Sequence, residues 1–273
     1  MLWRNCRFTD PLIQSITGAE KMGMKISVCG KGGSGKSTLV GLLATAAQTR
    51  DLTTLVVDSD ESNSGLFRML GFNEPPIPLM ALVGGKEGLK EKMNQPSVLS
   101  ETNITLEQIP DGYINEKNGL KLVSIGKIHQ ALEGCACPMG VLSREFLKKL
   151  RLAKDEIAMV DMEAGIEHFG RGVDGECDMI IGVVDPCFES FVLADQIRDM
   201  AMKAGAEIFF VLNKVDENTL DIMHKNINRE MVVAEIPYLN AVFIHNLKGR
   251  KLEKSFLEID PICQRIEDAK HKV

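Results

Sequence analysis

Short apolar runs alternate with longer stretches of helical periodicity along most of this chain. Lys25–Cys29, Thr53–Val57, Glu156–Val160, Met179–Val184 and Glu207–Leu212 are brief, nearly continuous in Val, Ile, Leu, Met and Phe, and end in turn-forming or acidic residues. Such runs read as strands covered on both faces, as in a parallel sheet. Leu39–Thr49 and Ser190–Ala204 read as helices between them, and Val232–Pro237 as a last strand and turn. Residues 64–130 are less regular. Leu66–Leu70 predicts a short helix, Pro75-Pro76-Ile77-Pro78 a break, Leu79–Met93 a helix, and Ile104–Leu106 and Leu120–Ser124 two strands. Val141–Leu152 and Pro261–Lys272 predict further helices, with short elements at Ala241–Ile244 and Leu247–Phe256. Strands alternating with helices imply an α/β fold: a mostly parallel central sheet with helices on both faces. The pattern runs over residues 24–273 as one domain. Met1–Gly23 does not join it and is expected to be a poorly ordered extension or an upstream start, with a regulatory arm as the alternative.

The first strand leads into Gly30-Lys31-Gly32-Gly33-Ser34-Gly35-Lys36-Ser37-Thr38, which fits G-x-x-x-x-G-K-[ST], the phosphate-binding loop of nucleoside triphosphate hydrolases. Strand, glycine loop and helix is the context the motif needs: backbone N–H groups of Gly32, Gly33, Ser34, Gly35 and Thr38 at a helix N-terminus can cradle phosphate oxygens. Lys36 is placed to reach the β- and γ-phosphates and Ser37 to bind Mg²⁺.

The second lysine, Lys31, gives Lys-Gly-Gly-Ser-Gly-Lys-Ser, and here the chain resembles the deviant Walker A ATPases, the family of MinD, ParA, nitrogenase iron protein and the CooC-type nickel-insertion proteins. The resemblance implies that Lys31 reaches across a homodimer interface to the partner's nucleotide, stabilising the transferring phosphoryl group as an arginine finger does. It also makes Asp58-Ser59-Asp60-Glu61-Ser62-Asn63 the first switch, with Asp60 orienting the attacking water and Asp58 supporting the Mg²⁺ region. Glu61 stands where the family has Pro. Asp161-Met162-Glu163-Ala164-Gly165-Ile166-Glu167-His168 falls at the second switch, implying Asp161 as the Mg²⁺-holding acid and Gly165 as a backbone donor to the γ-phosphate.

Composition narrows the field. A net charge of −6 with no dense run of Lys and Arg offers no nucleic-acid face, and no apolar run is long enough to span a membrane. Seven scattered Cys in a cytoplasmic-type nucleotide hydrolase point to thiol or metal chemistry rather than disulfides. Cys135 and Cys137 stand out in Gly134-Cys135-Ala136-Cys137-Pro138-Met139-Gly140, read as a tight exposed loop. One chain supplies two thiolates, whereas a closed tetrahedral site needs four ligands; a symmetric dimer brings four sulfurs to its axis. Thiolates suit Zn²⁺, Cu(I) or Fe–S, and four in a plane suit Ni²⁺.

The C-x-C together with the second switch looks most like the CooC-type carbon monoxide dehydrogenase maturation factors. Nitrogenase iron protein has a cluster-binding Cys seven residues after the switch Asp; His168 stands there, against a nitrogenase-like reductase. His168 is then read as a solvated switch residue, with metal handling as the alternative. Asn213-Lys214-Val215-Asp216 matches N-K-x-D, which selects guanine in many GTPases, while in the resembled family a comparable Asn contacts adenine. The early lysine tips the expectation to ATP, with Asp216 starting the next helix and Pro237 packing on the base. At the C-terminus Ile262 and Ile266 share a helical face too short and too weakly basic for a MinD-type membrane anchor, so core packing is expected. The resemblance as a whole implies an ATP-hydrolysing homodimeric metallochaperone with Ni²⁺ or Zn²⁺ at Cys135/Cys137, inserting nickel into carbon monoxide dehydrogenase or acetyl-CoA synthase. The rivals are an Fe–S electron donor and a positioning or partitioning switch.

Overall fold

The computed structural model describes residues 23–50, 52–127, 137–252 and 256–270, and only the backbone of Cys137. The expectation for residues 1–23 lies outside these except for Gly23, whose N–H donates to Leu152 O at 3.1 Å.

The strands are β1 (Met24–Gly30), β2 (Thr53–Asp58), β3 (Asn115–Lys117), β4 (Leu120–Ser124), β5 (Glu156–Asp161), β6 (Met179–Val184), β7 (Glu207–Val215) and β8 (Val232–Pro237). They form one sheet in the order β3-β4-β2-β5-β1-β6-β7-β8. All neighbours are parallel except the β3–β4 edge pair. The parallel strands are buried on both faces, which is why their sequences are continuous apolar runs rather than alternating ones. From β1 the chain goes first toward β2 on one side and later fills β6, β7 and β8 on the other. Strand order therefore reverses over β1, and the crevice at the carboxyl ends of these strands is where such sheets take ligands.

The helices are α1 (Lys36–Gln48), α2 (Leu66–Met69), α3 (Gly85–Lys92), α4 (Cys137–Lys149), α5 (Glu167–Gly170), α6 (Phe188–Ala204), α7 (Leu220–Asn226), α8 (Asn240–Leu247) and α9 (Asp260–Lys270). One buried cluster joins α1 and α9 to the sheet through Leu39, Leu43, Ile262 and Ile266; the other joins α4 and α6 through Leu142, Phe146, Ala194 and Ile197. Ile262 and Ile266 thus belong to the core. No described helix is long and apolar enough to cross a membrane.

The middle of the chain departs from expectation. The helix read over Leu79–Met93 is two pieces, a 3₁₀ turn at Leu79–Val83 and α3, because Gly84 and Gly85 both take positive φ (90° and 72°) and break the ladder between them. Ile104–Leu106 is not a strand. Ile104 makes a single bridge to Leu150, and Thr105 starts a 3₁₀ turn through a capping box with Gln108. Glu107 and Gln108 leave no apolar run for a strand to continue. The edge strand β3, polar throughout, gave no hydrophobic signal. Helix α4 begins at Cys137, four residues before the expected Val141.

Candidate nucleotide site and its switches

β1 ends at Gly30, and the loop to α1 turns on glycines with φ of 80° at Gly33 and 107° at Gly35, where a side chain would be strained. A Cβ on Gly35 would also lie 2.3 Å from Asn213 Nδ2. Lys36 opens α1 and folds back inside the loop, its Nζ donating to Lys31 O at 3.3 Å. The loop is braced from β7: Asn213 Nδ2 donates to Ser34 O at 2.7 Å, and Lys214 Nζ to Gly33 O at 2.6 Å. Asn213 and Lys214, expected at the base, are thus seen holding the phosphate loop. Thr38 Oγ1 accepts from Asn246 Nδ2 at 3.0 Å. Beside them an apolar pocket is lined by Leu42, Asn213, Pro237, Tyr238, Val242 and Phe243, of a form suited to a purine. Asp216 does not face it freely. Its Oδ1 accepts from the N–H groups of Asn218 and Thr219 and from Thr219 Oγ1, and these bonds hold its carboxyl below the usual range.

The two switches meet beside this loop. Asp58 and Asp161 end adjacent strands in register. Both are buried, and burial raises Asp161 to about 7 and Asp58 to about 6, the latter against the pull of Lys127. Asp58 Oδ1 and Asp161 Oδ1 are buried without a partner among the described residues. The neighbouring Ser37 hydroxyl opposes that rise at Asp161. Two carboxylates with orphaned oxygens next to a hydroxyl fit Mg²⁺, a hard cation that takes oxygen ligands and leaves the rest of its shell to phosphate and water. Asp60 Oδ1 accepts from Ser62 N at 2.9 Å and Ser62 Oγ at 2.6 Å, a turn that fixes its carboxylate at the edge of the site. Asn63 Nδ2 donates to Ser37 Oγ at 2.8 Å.

In the second switch, Gly165 (φ 95°) donates its N–H to Gly30 O at 3.3 Å, and a carboxylate–arginine pair joins Glu163 to Arg171. His168 is not solvated. It is 2% exposed, with Nδ1 at 2.5 Å from Asp174 Oδ2 and Nε2 at 3.0 Å from Gly165 O. Ser27 Oγ of β1 completes the chain to Asp174 Oδ1 at 2.7 Å. The histidine props the switch from beneath and is unavailable to a surface metal.

Lys31 lies at the surface, its ammonium favoured by a hydrogen bond with Cys187 and by the Asp185 carboxylate. With Gly32, Ala164, Phe188 and Val192 it lines a groove next to the phosphate loop, where Phe188 is 73% exposed. Cys135 lies outside the described residues. Cys137 is the first residue of α4, which touches both switches: Ser143 Oγ is 3.0 Å from Ser59 Oγ, Arg144 Nη1 donates to Arg171 O at 3.3 Å, and Gly140 packs under the Arg171 side chain. Cys29 and Cys177 are buried with thiol pKa values pushed up by desolvation, which makes them structural. Among the described residues no cluster of three or more His, Cys, Asp or Glu side chains is placed to hold a metal ion. Sequence reading missed Lys127, Ser143 and Asp174. Asp174 follows a helical turn after His168 and could have been paired with it; the other two carry no local signal.

Residues 26–252 match the CobQ/CobB/MinD/ParA nucleotide binding domain. An uncharacterised ATP-binding protein of Methanocaldococcus jannaschii is 45% identical over 88% of this chain and 98% of its own length. The carbon monoxide dehydrogenase accessory protein CooC of Rhodospirillum rubrum is 33% identical over 70% of this chain and 74% of its own. The fold is shared with the septum site-determining protein MinD of Pyrococcus horikoshii complexed with Mg-ADP, at TM-score 0.62 and 18% identity over 92% of this chain and 96% of that one. The glycine loop, the paired acids and the parallel sheet agree with these matches: the chain belongs to the CobQ/CobB/MinD/ParA family and is a P-loop ATPase.

Proposed function

We propose that this ATPase is a metal-delivery protein for carbon monoxide dehydrogenase or acetyl-CoA synthase. Two copies, closed by ATP, would pool Cys135 and Cys137 into a four-sulfur site for Ni²⁺ or Zn²⁺, and hydrolysis would open it to release nickel to the client. The observation that carries this reading is the position of Cys137 at the head of α4, a helix bonded to the first switch through Ser143 and, through Arg144, to Arg171, which pairs with Glu163 of the second. The CooC relative, named as a carbon monoxide dehydrogenase accessory protein, supports the choice of client.

In this reading the phosphate loop, Lys36 and Thr38 hold the triphosphate, and the apolar pocket with Asn213 and Pro237 takes adenine. Ser37 and Asp161 would hold Mg²⁺, with Asp58 behind them, and the chemistry it would supply there is neutralisation of the charge developing on the phosphates. Asp60 orients a water in line with the γ-phosphorus. Its attack forms the new P–O bond as the bond to the β-phosphate oxygen breaks, giving ADP and phosphate. Gly165 exchanges its bond to Gly30 O for the γ-phosphate, and Lys31 leaves Cys187 and Asp185 to stabilise the partner's transferring phosphoryl group. Closed and open dimers must differ in nucleotide affinity for this to drive metal release.

The test is native mass spectrometry of reduced protein titrated with Ni²⁺ or Zn²⁺, with and without a non-hydrolysable ATP analogue, beside the Cys135→Ala/Cys137→Ala double variant. One metal per nucleotide-bound dimer, lost in the variant, is the expected result. No metal in either protein with dimerisation intact would replace metal delivery by an interaction switch. A brown protein with a visible absorption band would replace it by an Fe–S function.

A further inference from the structure

The ammonium of Lys127, just past β4, is half-buried against the first switch. Its side chain is 14% exposed, and Nζ contacts Asp58 Oδ2 at 2.7 Å and donates to the backbone carbonyls of Asp60 and Asn63. All three donors of the ammonium are thus used on one loop. Strand order explains the position. β4 pairs with β2 so that Ser124 lies beside Asp58, and the chain leaving β4 must pass the acid that ends β2.

Asn63, held by this anchor, points the other way. Gly65 N donates to its Oδ1 at 2.9 Å, which fixes which end of the carboxamide carries the N–H groups. Its Nδ2 then lies 2.8 Å from Ser37 Oγ and 3.5 Å from Asp161 Oδ2, between two oxygens expected to serve Mg²⁺. Mg²⁺ needs lone pairs at ~2.0–2.1 Å in a near-octahedral shell, so the ion and the Asn63 N–H groups cannot share that space.

We propose that Asn63 and Lys127 form a latch on the magnesium site. The Asn63 carboxamide covers Ser37 and Asp161 until Mg²⁺ with nucleotide displaces it, and Lys127 is the positioning residue that holds the loop so that Asn63 reaches the site and Asp60 stays at its edge. This latch works in the ATPase cycle whatever the cargo. Asp58 keeps its pairing to Lys127 through the exchange, so the loop pivots rather than detaches.

Stopped-flow association of a fluorescent ADP analogue tests this, run with Mg²⁺ and with EDTA. Asn63→Ala is expected to speed association with Mg²⁺ about tenfold, the worth of one lost hydrogen bond to the site, and to leave the EDTA rate unchanged. Lys127→Met is expected to give a similar Mg²⁺-dependent acceleration while kcat for ATP falls about 10²-fold, because Asp60 loses its placement. The double variant is expected to associate no faster than either single one, since Lys127 acts through Asn63. An Mg²⁺ rate within twofold of the parent in Asn63→Ala, or equal acceleration with and without Mg²⁺, overturns the latch. Additive acceleration in the double variant overturns the part given to Lys127. Should Lys127→Met fail to fold, Asn63→Ala decides the latch and Lys127→Arg, expected to retain kcat within tenfold, decides the anchor.

Discussion

The carbonyl of Gly165 in the second switch rests on the buried imidazole of His168, 3.0 Å from Nε2. Both ring nitrogens face an acceptor, the other being Asp174, which Ser27 ties to the central strand. The only glycine of the switch is thus linked to the middle of the sheet through three side chains.

His168→Ala removes the link and leaves the Asp174 carboxylate buried with Ser27 alone. Breaking a buried pair by deleting one partner costs about 3–5 kcal/mol. Urea unfolding of the metal-free protein is expected to show a loss of that order, with kcat reduced more than the affinity for ADP. A change below about 1 kcal/mol would mean that water replaces the imidazole and that the switch does not depend on it.

The N-K-x-D match separates into two parts in the structure. Asn213 and Lys214 face the phosphate loop, whereas Asp216 is spent on the turn into α7. Asp216→Ala is therefore expected to lower the thermal midpoint slightly and to leave the preference for ATP over GTP unchanged in competition binding. Selective loss of GTP binding in the variant would show that Asp216 reads guanine after all.

How much of this was legible depends on the range over which each contact is encoded. The phosphate loop, Asp58, Asp60 and Asp161 are readable because strand ends and glycine positions fix them locally, and a parallel sheet brings strand ends together. Lys127 and Ser143 are single polar residues brought to the switches by pairing of β4 with β2 and by packing of α4. No spacing in the sequence marks them. His168 was misread because a polar residue in a switch is ordinarily solvated; its cover comes from Asp174 and the turn that follows. The Leu79–Met93 helix failed at Gly84-Gly85, a pair that periodicity alone passes over.

Asp161 and Asp58 make stability depend on pH in a direction opposite to that of a salt-bridged acid. An unfolded Asp titrates near 3.9, whereas burial lifts Asp161 to about 7 and Asp58 to about 6. The folded form binds the extra proton, so stability falls as pH rises between those values, by up to about 1.4 kcal/mol per pH unit for each group. In metal-free protein the thermal midpoint is expected to drop between about pH 4 and pH 7 and to level off above that. Mg²⁺ with ADP is expected to flatten the drop by stabilising the charged forms. Asp161→Asn is expected to remove most of it, to raise the midpoint at pH 7.5 and to abolish hydrolysis. A midpoint in Asp161→Asn that still falls as steeply would locate the titration elsewhere.

The proposed metal delivery rests on the contact between Ser59 and Ser143, hydroxyl to hydroxyl at 3.0 Å, which joins the first switch to the helix headed by Cys137. Ser143 is fully buried, so Ser143→Ala removes an oxygen and leaves the Ser59 hydroxyl to find water. A single neutral hydrogen bond is worth about 1 kcal/mol, and the fold should survive the change with a modest loss. Coupling is where the effect should fall. Ser143→Ala is expected to hydrolyse ATP within about threefold of the parent while the ATP-dependent gain in Zn²⁺ affinity shrinks, because the two sites no longer bias one shared element. Zn²⁺ titrations with and without a non-hydrolysable ATP analogue measure that gain directly. Were the gain undiminished, the Cys pair would have to sense nucleotide through the Arg144–Arg171 contact on the other switch, and Arg144→Ala would be the variant to abolish it.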